Sequence, residues 1–307
     1  MTASRSRIAP CRPSRPEPIW KEYALLLLLA LMWGSSYALI KLALETIPPV
    51  TLIAGRVSIA ALFLLSIMTW QKVSLPRDRN TWRQLLVQSF LGASGAWTVL
   101  AWGQQSVESS LASVLNSTSP IFVFFLTLLF TRHEPVNLRR FSGACLGLLG
   151  VVLIVGVDAL KGLGQQVVAQ LAVILGAVLY GGAAIYGRRF GHLPPVVTAT
   201  GTLLWASLCL IPLSIALEQP WTLRPSLSSI AAAVTLSLLC TGIGFLIYFR
   251  LVRTLGSLGV ASQAYLRAGI GVLLGTFVLG ESITPTVGLG IAIALLGVIL
   301  INRRGGG

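Results

Sequence analysis

Two arginines, Arg56 and Arg267, fall inside long apolar stretches of the chain. A cation held within the hydrocarbon layer of a membrane is expensive, so each is a candidate binding group. A guanidinium grips a carboxylate through two parallel hydrogen bonds, which is recognition chemistry and breaks no bond. Arg267 follows Gln263 and Tyr265 and has no acid three or four residues away. Two roles stay open for it: contact with a substrate, or a bond to helix-end carbonyls. Arg56 sits near one end of its stretch, where snorkelling or an interhelical contact competes with binding.

The second chemical group is uncharged. Asn116, Ser117, Thr118 and Ser119 directly precede Pro120. The proline removes a backbone N–H and frees the carbonyl four residues earlier, at Asn116, so it predicts a kink. Turned toward lipid, this polar run would be left without partners. It therefore faces either a water-filled cavity or another helix. The third group is aromatic. Trp33 and Tyr180 each precede a glycine that lets a neighbouring backbone approach, and both are candidate cavity walls. Trp97 and Trp102 are further candidates, although a spacing of five turns them roughly 140° apart on a helix. Tyr265 joins the set beside Arg267. Tyr23, Trp70, Trp82 and Trp221 lie near the ends of apolar stretches, as an interfacial belt requires.

Bond-making chemistry finds no residues. Intramembrane hydrolysis needs a His–Glu metal motif, paired aspartates or a Ser–His couple. The two histidines, His133 and His192, lie in connecting segments, as do Asp78 and Asp158. No glycine-rich phosphate loop with lysine occurs. Cys11, Cys145, Cys209 and Cys240 have no metal-ligand spacing and form no disulfide framework. The reading is therefore no enzyme, no cofactor and no metal. None of the nine acids falls in the middle of an apolar stretch. That predicts passive or exchange transport and no coupling through a buried carboxylate.

The elements that must position these residues follow from composition. Of 307 residues, 55% are hydrophobic and 10% charged, with a mean hydropathy of +0.83. Soluble domains carry about 25% charged residues, so this chain cannot cover a water-facing surface. A membrane helix needs about 20 mainly apolar residues. Ten stretches qualify: 23–43, 50–70, 82–104, 109–131, 141–157, 168–187, 195–217, 228–250, 257–279 and 284–302. Residues 1–22, rich in Arg, Pro and Ser, read as a disordered tail, and the closing glycines 305–307 as unstructured. A cleaved signal peptide is disfavoured, because the first stretch is long enough to span and lacks small residues at its end.

The net charge of +14 marks topology, not nucleic acid. Lys41, Lys161 and Arg224 fall on one side of the alternating segments. The other lysines and arginines outside the spans fall on the opposite side. Cytoplasmic loops collect Lys and Arg, which places both termini in the cytoplasm.

The two halves also resemble each other. Trp33-Gly34 precedes Pro48-Pro49, and Tyr180-Gly181 precedes Pro194-Pro195, separations of 15 and 14 residues. Glu134 matches Glu281, and Gly143 and Gly150 match Gly290 and Gly297 at the same spacing of seven. Repeats of five spans insert with opposite orientation, the architecture of many secondary transporters. The fold class expected is an all-α membrane protein of ten transmembrane helices, arranged as two inverted-topology five-helix repeats around a central cavity. The first repeat is 23–157 and the second 168–303.

Several of these segments, in this order, resemble the drug/metabolite transporter superfamily, EamA type. They are WGSS at Trp33, the Pro48–Arg56 segment, NSTSPIF around Pro120, LGE at Leu279 and LLGVILI near the end. Within that superfamily the chain is similar to bacterial aromatic amino acid exporters. The resemblance covers residues 23–303. It implies ten helices around a cavity, a small-molecule substrate, and export across the bacterial plasma membrane. Where many members have a proline in helix nine, this chain has Ala268 or Gly269, so the two halves differ at the site. The set expected to line the site is Trp33, Trp97, Trp102, Asn116, Ser117, Ser119, Tyr180, Tyr265 and Arg267. The partners expected are an amino acid or similar metabolite and the lipid bilayer, with no nucleic acid and a monomeric chain. Phosphorylated metabolites held by Arg56 and Arg267, and a non-transporting scaffold, are the alternatives.

Overall fold

The chain winds almost entirely into helices, as a backbone facing hydrocarbon must when each N–H and C=O needs a partner from its own segment. A computed structural model describes residues 19–104, 106, 107, 109–130, 137–270 and 284–303. The tail before Ile19, the closing glycines and the Glu134–Glu281 match lie outside the described residues. Helices are numbered in chain order: α1 (Ile19–Leu44), α2 (Pro49–Trp70), α3 (79–104), α4 (109–130), α5 (Leu138–Val155), α6 (Val167–Phe190), α7 (Pro195–Glu218), α8 (Leu227–Thr254), α9 (256–270) and α10 (Pro285–Asn302). Among the described residues there is no strand. Seven of these helices, α2, α4 to α8 and α10, are long and apolar enough to cross a membrane.

The starts of several helices are written in the sequence. Proline occupies the first position of α2, α7 and α10, where no N–H partner is lost. Asp78 caps α3 by accepting from the Thr81 N–H at 2.7 Å, and Asn137 caps α5 by accepting from the Arg140 N–H at 3.0 Å. The start of α1 departs from expectation. The helix begins at Ile19, so Lys21 and Glu22 belong to it and not to a tail. Glu22 is buried, accepts from Arg250 Nη2 at 2.7 Å and from the Thr254 hydroxyl at 2.8 Å, and so ties the start of α1 to the end of α8.

Packing pairs helices from the two halves. α2 lies along α7 and α5 along α10, while α1 packs on α8 and α6 on α3. Exchanging the halves turns the α1–α8 contact into the α6–α3 contact and leaves the other two pairs unchanged. The α5–α10 contact is close because glycines face each other. A Cβ on Gly150 would lie 2.5 Å from the Ala294 nitrogen, and one on Gly297 would lie 2.6 Å from the Gly143 carbonyl oxygen. Small residues at such a contact let two backbones meet, the usual basis of helix association in lipid. Outward-facing side chains such as Leu62, Leu128, Leu129, Phe130 and Leu208 remain exposed, as a lipid-facing surface requires. Trp70 and Trp221 are exposed at helix ends.

Four helices are irregular along their length, α9 among them, where a turn at Ser262 separates Gly256–Ala261 from 263–270. α3 carries a π segment at Phe90–Ser94 and α8 a longer one at Leu236–Ile243. In α4 the regular helix stops at Asn116 and resumes at Ser119, the break expected ahead of Pro120. π segments widen the turn, misalign carbonyls and are frequent at functional sites.

Candidate functional site

Arg56 lies on the buried face of α2 and is only 8% exposed. Its guanidinium carbon stands 4.2 Å from the centre of the Trp97 ring on α3, and its Nε donates to the Thr241 hydroxyl oxygen at 2.5 Å. Thr241 belongs to the π segment of α8, and its own hydroxyl donates to the Leu236 carbonyl at 3.0 Å. One threonine oxygen thus fixes the arginine and closes the widened turn. A desolvated cation over a tryptophan face gains about 2 kcal/mol. That offsets only part of what it costs to strip water from the charge. Among the described residues no carboxylate forms an ion pair with Arg56 or Arg267, and the salt bridge between Arg250 and Glu22 lies elsewhere.

Trp33 is held from two sides. Its indole Nε1 donates to the Cys240 carbonyl at 2.8 Å, again in the α8 π segment. Its ring lies 5.6 Å from Tyr248 and 6.4 Å from Phe245 between centroids. Phe245 in turn meets Trp97 edge-on at 5.9 Å. The guanidinium carbon of half-buried Arg267 stands 5.8 Å from the centre of the Trp33 ring. The result is an ordered row: Arg267, Trp33, Phe245, Trp97, Arg56. Five helices supply it, in that order: α9, α1, α8, α3 and α2. Tyr180 of α6 packs against the same apolar cluster and lies within electrostatic reach of Arg56. Two cations, each facing a tryptophan and neither neutralised, make an arrangement suited to holding an anion near aromatic surface.

Of the residues expected from sequence, the structure brings Trp33, Trp97, Tyr180 and Arg267 into this neighbourhood. Asn116, Ser117, Ser119 and Pro120 are all buried at the break in α4, and the Asn116 side-chain oxygen has no hydrogen-bond partner. α4 and α9 share one apolar cluster, yet among the described residues no hydrogen bond joins Asn116, Ser117 or Ser119 to Arg267. Two residues stand apart. Trp102 is 54% exposed and faces outward from α3. Its five-residue spacing from buried Trp97 puts it on another face. Tyr265 is fully buried away from the row. Its hydroxyl donates to the Ala144 carbonyl at 2.8 Å, and its ring fills the space left by Gly147, where a Cβ would come within 2.2 Å of it. It is a packing residue between α9 and α5.

For Arg56 the structure shows the interhelical contact and not snorkelling, and sequence reasoning left Thr241, Phe245 and Tyr248 out of the site. A signal was present. Thr241, Phe245 and Tyr248 recur at i, i+4 and i+7, one face of a helix, and that face carries the only hydroxyl-and-aromatic stripe of α8's second half. A lateral groove of about 480 Å³ bounded by Tyr23, Leu26, Leu266, Leu295 and Ile299 shares no residue with the row.

Comparison with known proteins agrees with this fold. The chain matches the EamA-like transporter family twice, over residues 20–156 and 167–303. It is 26% identical over 282 residues to an uncharacterized inner membrane transporter, YedA, of Escherichia coli (strain K12), covering 91% of this chain and 90% of that protein. It is also 26% identical over 282 residues to a probable terminal-alkyne amino-acid exporter of Streptantibioticus cattleyicolor, covering 91% and 92%. A crystal structure superposes with a TM-score of 0.78 at 18% identity, covering 92% of this chain and 99% of that one, a likeness of fold.

Proposed function

Because this chain belongs to the EamA-like transporter family, we propose that it exports small metabolites, amino acids foremost, by alternating access without ATP. One observation carries the reading. Arg56 over Trp97 and Arg267 over Trp33 flank Phe245 inside a membrane protein, with no carboxylate paired to either cation among the described residues. A carboxylate-bearing substrate supplies the missing anion, and the aromatic row supplies a wall for its side chain. A probable terminal-alkyne amino-acid exporter among the relatives supports the same class.

The architecture proposed is ten membrane-spanning helices in two inverted five-helix repeats, 23–157 and 168–303, around a central cavity. The doubled family match and the exchange-symmetric helix contacts support it. The basic residues crowd one set of loops, which supports cytoplasmic termini in a bacterial inner membrane. Transport is facilitative or by exchange, since no acid falls mid-span. The protein acts as a monomer, with Trp33, Trp97, Asn116, Ser117, Ser119, Tyr180 and Arg267 at its cavity. A second reading, phosphorylated metabolites, draws on the same two arginines. Competition against labelled amino acid uptake in proteoliposomes separates them: other amino acids compete and sugar phosphates do not. Competition by sugar phosphates alone would move the protein to the second class.

A further inference from the structure

We propose that Arg56, locked by Thr241 and Trp97, is the residue that takes the substrate's carboxylate. The assignment rests on the amino acid reading above. Three features separate Arg56 from Arg267. The first is burial: Arg56 is more than nine-tenths enclosed, whereas Arg267 is only half-buried. A carboxylate meeting Arg56 therefore does so with little competing water, where a charge-assisted pair is strongest.

The second feature is orientation. A guanidinium is flat, with five N–H donors in a fixed fork. In Arg56 the Nε donor is committed to Thr241, and the guanidinium carbon lies over the Trp97 ring, 4.2 Å from its centre. What remains is the outer edge bearing both terminal nitrogens. Among the described residues those nitrogens have no hydrogen-bond partner. With Nε committed, that edge is the one left for a carboxylate to engage bidentately. Arg267 stands 5.8 Å from Trp33, too far for a comparable hold.

The third feature is the surrounding wall. Trp97 touches Phe245 edge-on at 5.9 Å, and Phe245 leads to Trp33. A carboxylate pinned at Arg56 presents the rest of the molecule to this row, which favours a neutral amino acid with an apolar or aromatic side chain. Thr241 is then a positioning residue. Its hydroxyl holds both Arg56 Nε and the Leu236 carbonyl of the π segment, so it aims the fork and ties it to α8.

The test uses full-length protein in proteoliposomes, with labelled phenylalanine as the probe and unlabelled phenylalanine and phenylalaninamide as competitors. The readout is the preference for acid over amide, which a merely structural role would not move. In Arg56→Gln that preference falls about tenfold to a hundredfold, the share of one charge-assisted bidentate contact. In Arg267→Gln the acid and the amide weaken together and the preference stays. Should Arg56→Gln fail to fold, Thr241→Val and Arg56→Lys serve in its place, the first freeing the fork and the second keeping charge without it. Each lowers the same preference. An unchanged preference in all Arg56 and Thr241 variants, or its collapse in Arg267→Gln, overturns the assignment and leaves amino acid transport standing. Failure of the unaltered protein to recognise phenylalanine or any other amino acid overturns the transport reading and this assignment with it.

Discussion

Replacing Tyr265 with phenylalanine decides whether that residue packs helices or meets substrate. The ring is fully buried and sits over Gly147, and the hydroxyl reaches the Ala144 carbonyl at 2.8 Å. Phenylalanine keeps the ring, so the packing of α9 on α5 survives. The loss is one neutral hydrogen bond between helices, and in a membrane protein such bonds contribute about 0.6 kcal/mol on average and about 1.7 at most. The Ala144 carbonyl is left with its ordinary helical partner, so no buried acceptor is orphaned. We expect Tyr265→Phe to unfold slightly earlier in a thermal or denaturant series and to transport as well as the unaltered protein. Gly147→Ala attacks the same contact from the other side. Its new methyl cannot coexist with a ring 2.2 Å away, so it should destabilise by about 1–3 kcal/mol, the usual range for overpacking. The paired assay is proteoliposome uptake beside an unfolding curve in the same detergent. A Tyr265→Phe protein with unchanged stability but more than tenfold slower uptake would refute this reasoning and return the hydroxyl to the substrate.

Other perturbations follow from the same helix contacts. Gly150→Leu should prevent the α5–α10 approach and yield little folded protein on size-exclusion chromatography, because even a Cβ there lies 2.5 Å from the Ala294 nitrogen. Glu22→Gln should lower stability by about 1 kcal/mol or less, since its partner Arg250 is 39% exposed and water screens the pair; a shift several times larger in the unfolding midpoint would mean the pair is shielded. In a background without native cysteines, an impermeant thiol reagent added outside should label a cysteine at position 158 and miss one at 189. Labelling of both, or the reverse, contradicts cytoplasmic termini.

Much of the scaffold was legible because lipid demands it. The stretches 50–70 and 195–217 matched α2 and α7 closely, and the paired glycines 143, 150, 290 and 297, read only as a mark of the repeat, lie where α5 meets α10. Pro120 foretold the break in α4. The start of α1 was misjudged because Lys21 and Glu22 look like tail residues until Arg250, 228 positions away, is seen to hold Glu22. Site residues were harder to read. In a soluble helix, alternation of polar and apolar residues tells which face is inside, but a lipid-facing side is as apolar as a core. The spacing of five put Trp97 and Trp102 on different faces, but nothing in the sequence told which was buried, or that Tyr265 turns toward Gly147. For Arg56 the interhelical alternative proved right, but its partners could not be read. Its depth depends on Trp97 and on Thr241, and Thr241 is aimed by a π segment that has no sequence signature and shifts every later side chain around the helix.

Counterflow of an amino acid bears most directly on the central claim of a passive carrier with an arginine-lined, aromatic site. Purified protein is placed in liposomes preloaded with unlabelled phenylalanine, with the pH difference collapsed and with sodium and ATP absent, and labelled phenylalanine is added outside. The account predicts transient accumulation of label that decays as the internal pool runs down, and its loss in a protein bearing both Arg56→Gln and Arg267→Gln. Absence of counterflow with phenylalanine and with every other amino acid, or label that accumulates only under an imposed proton or sodium gradient, would contradict it.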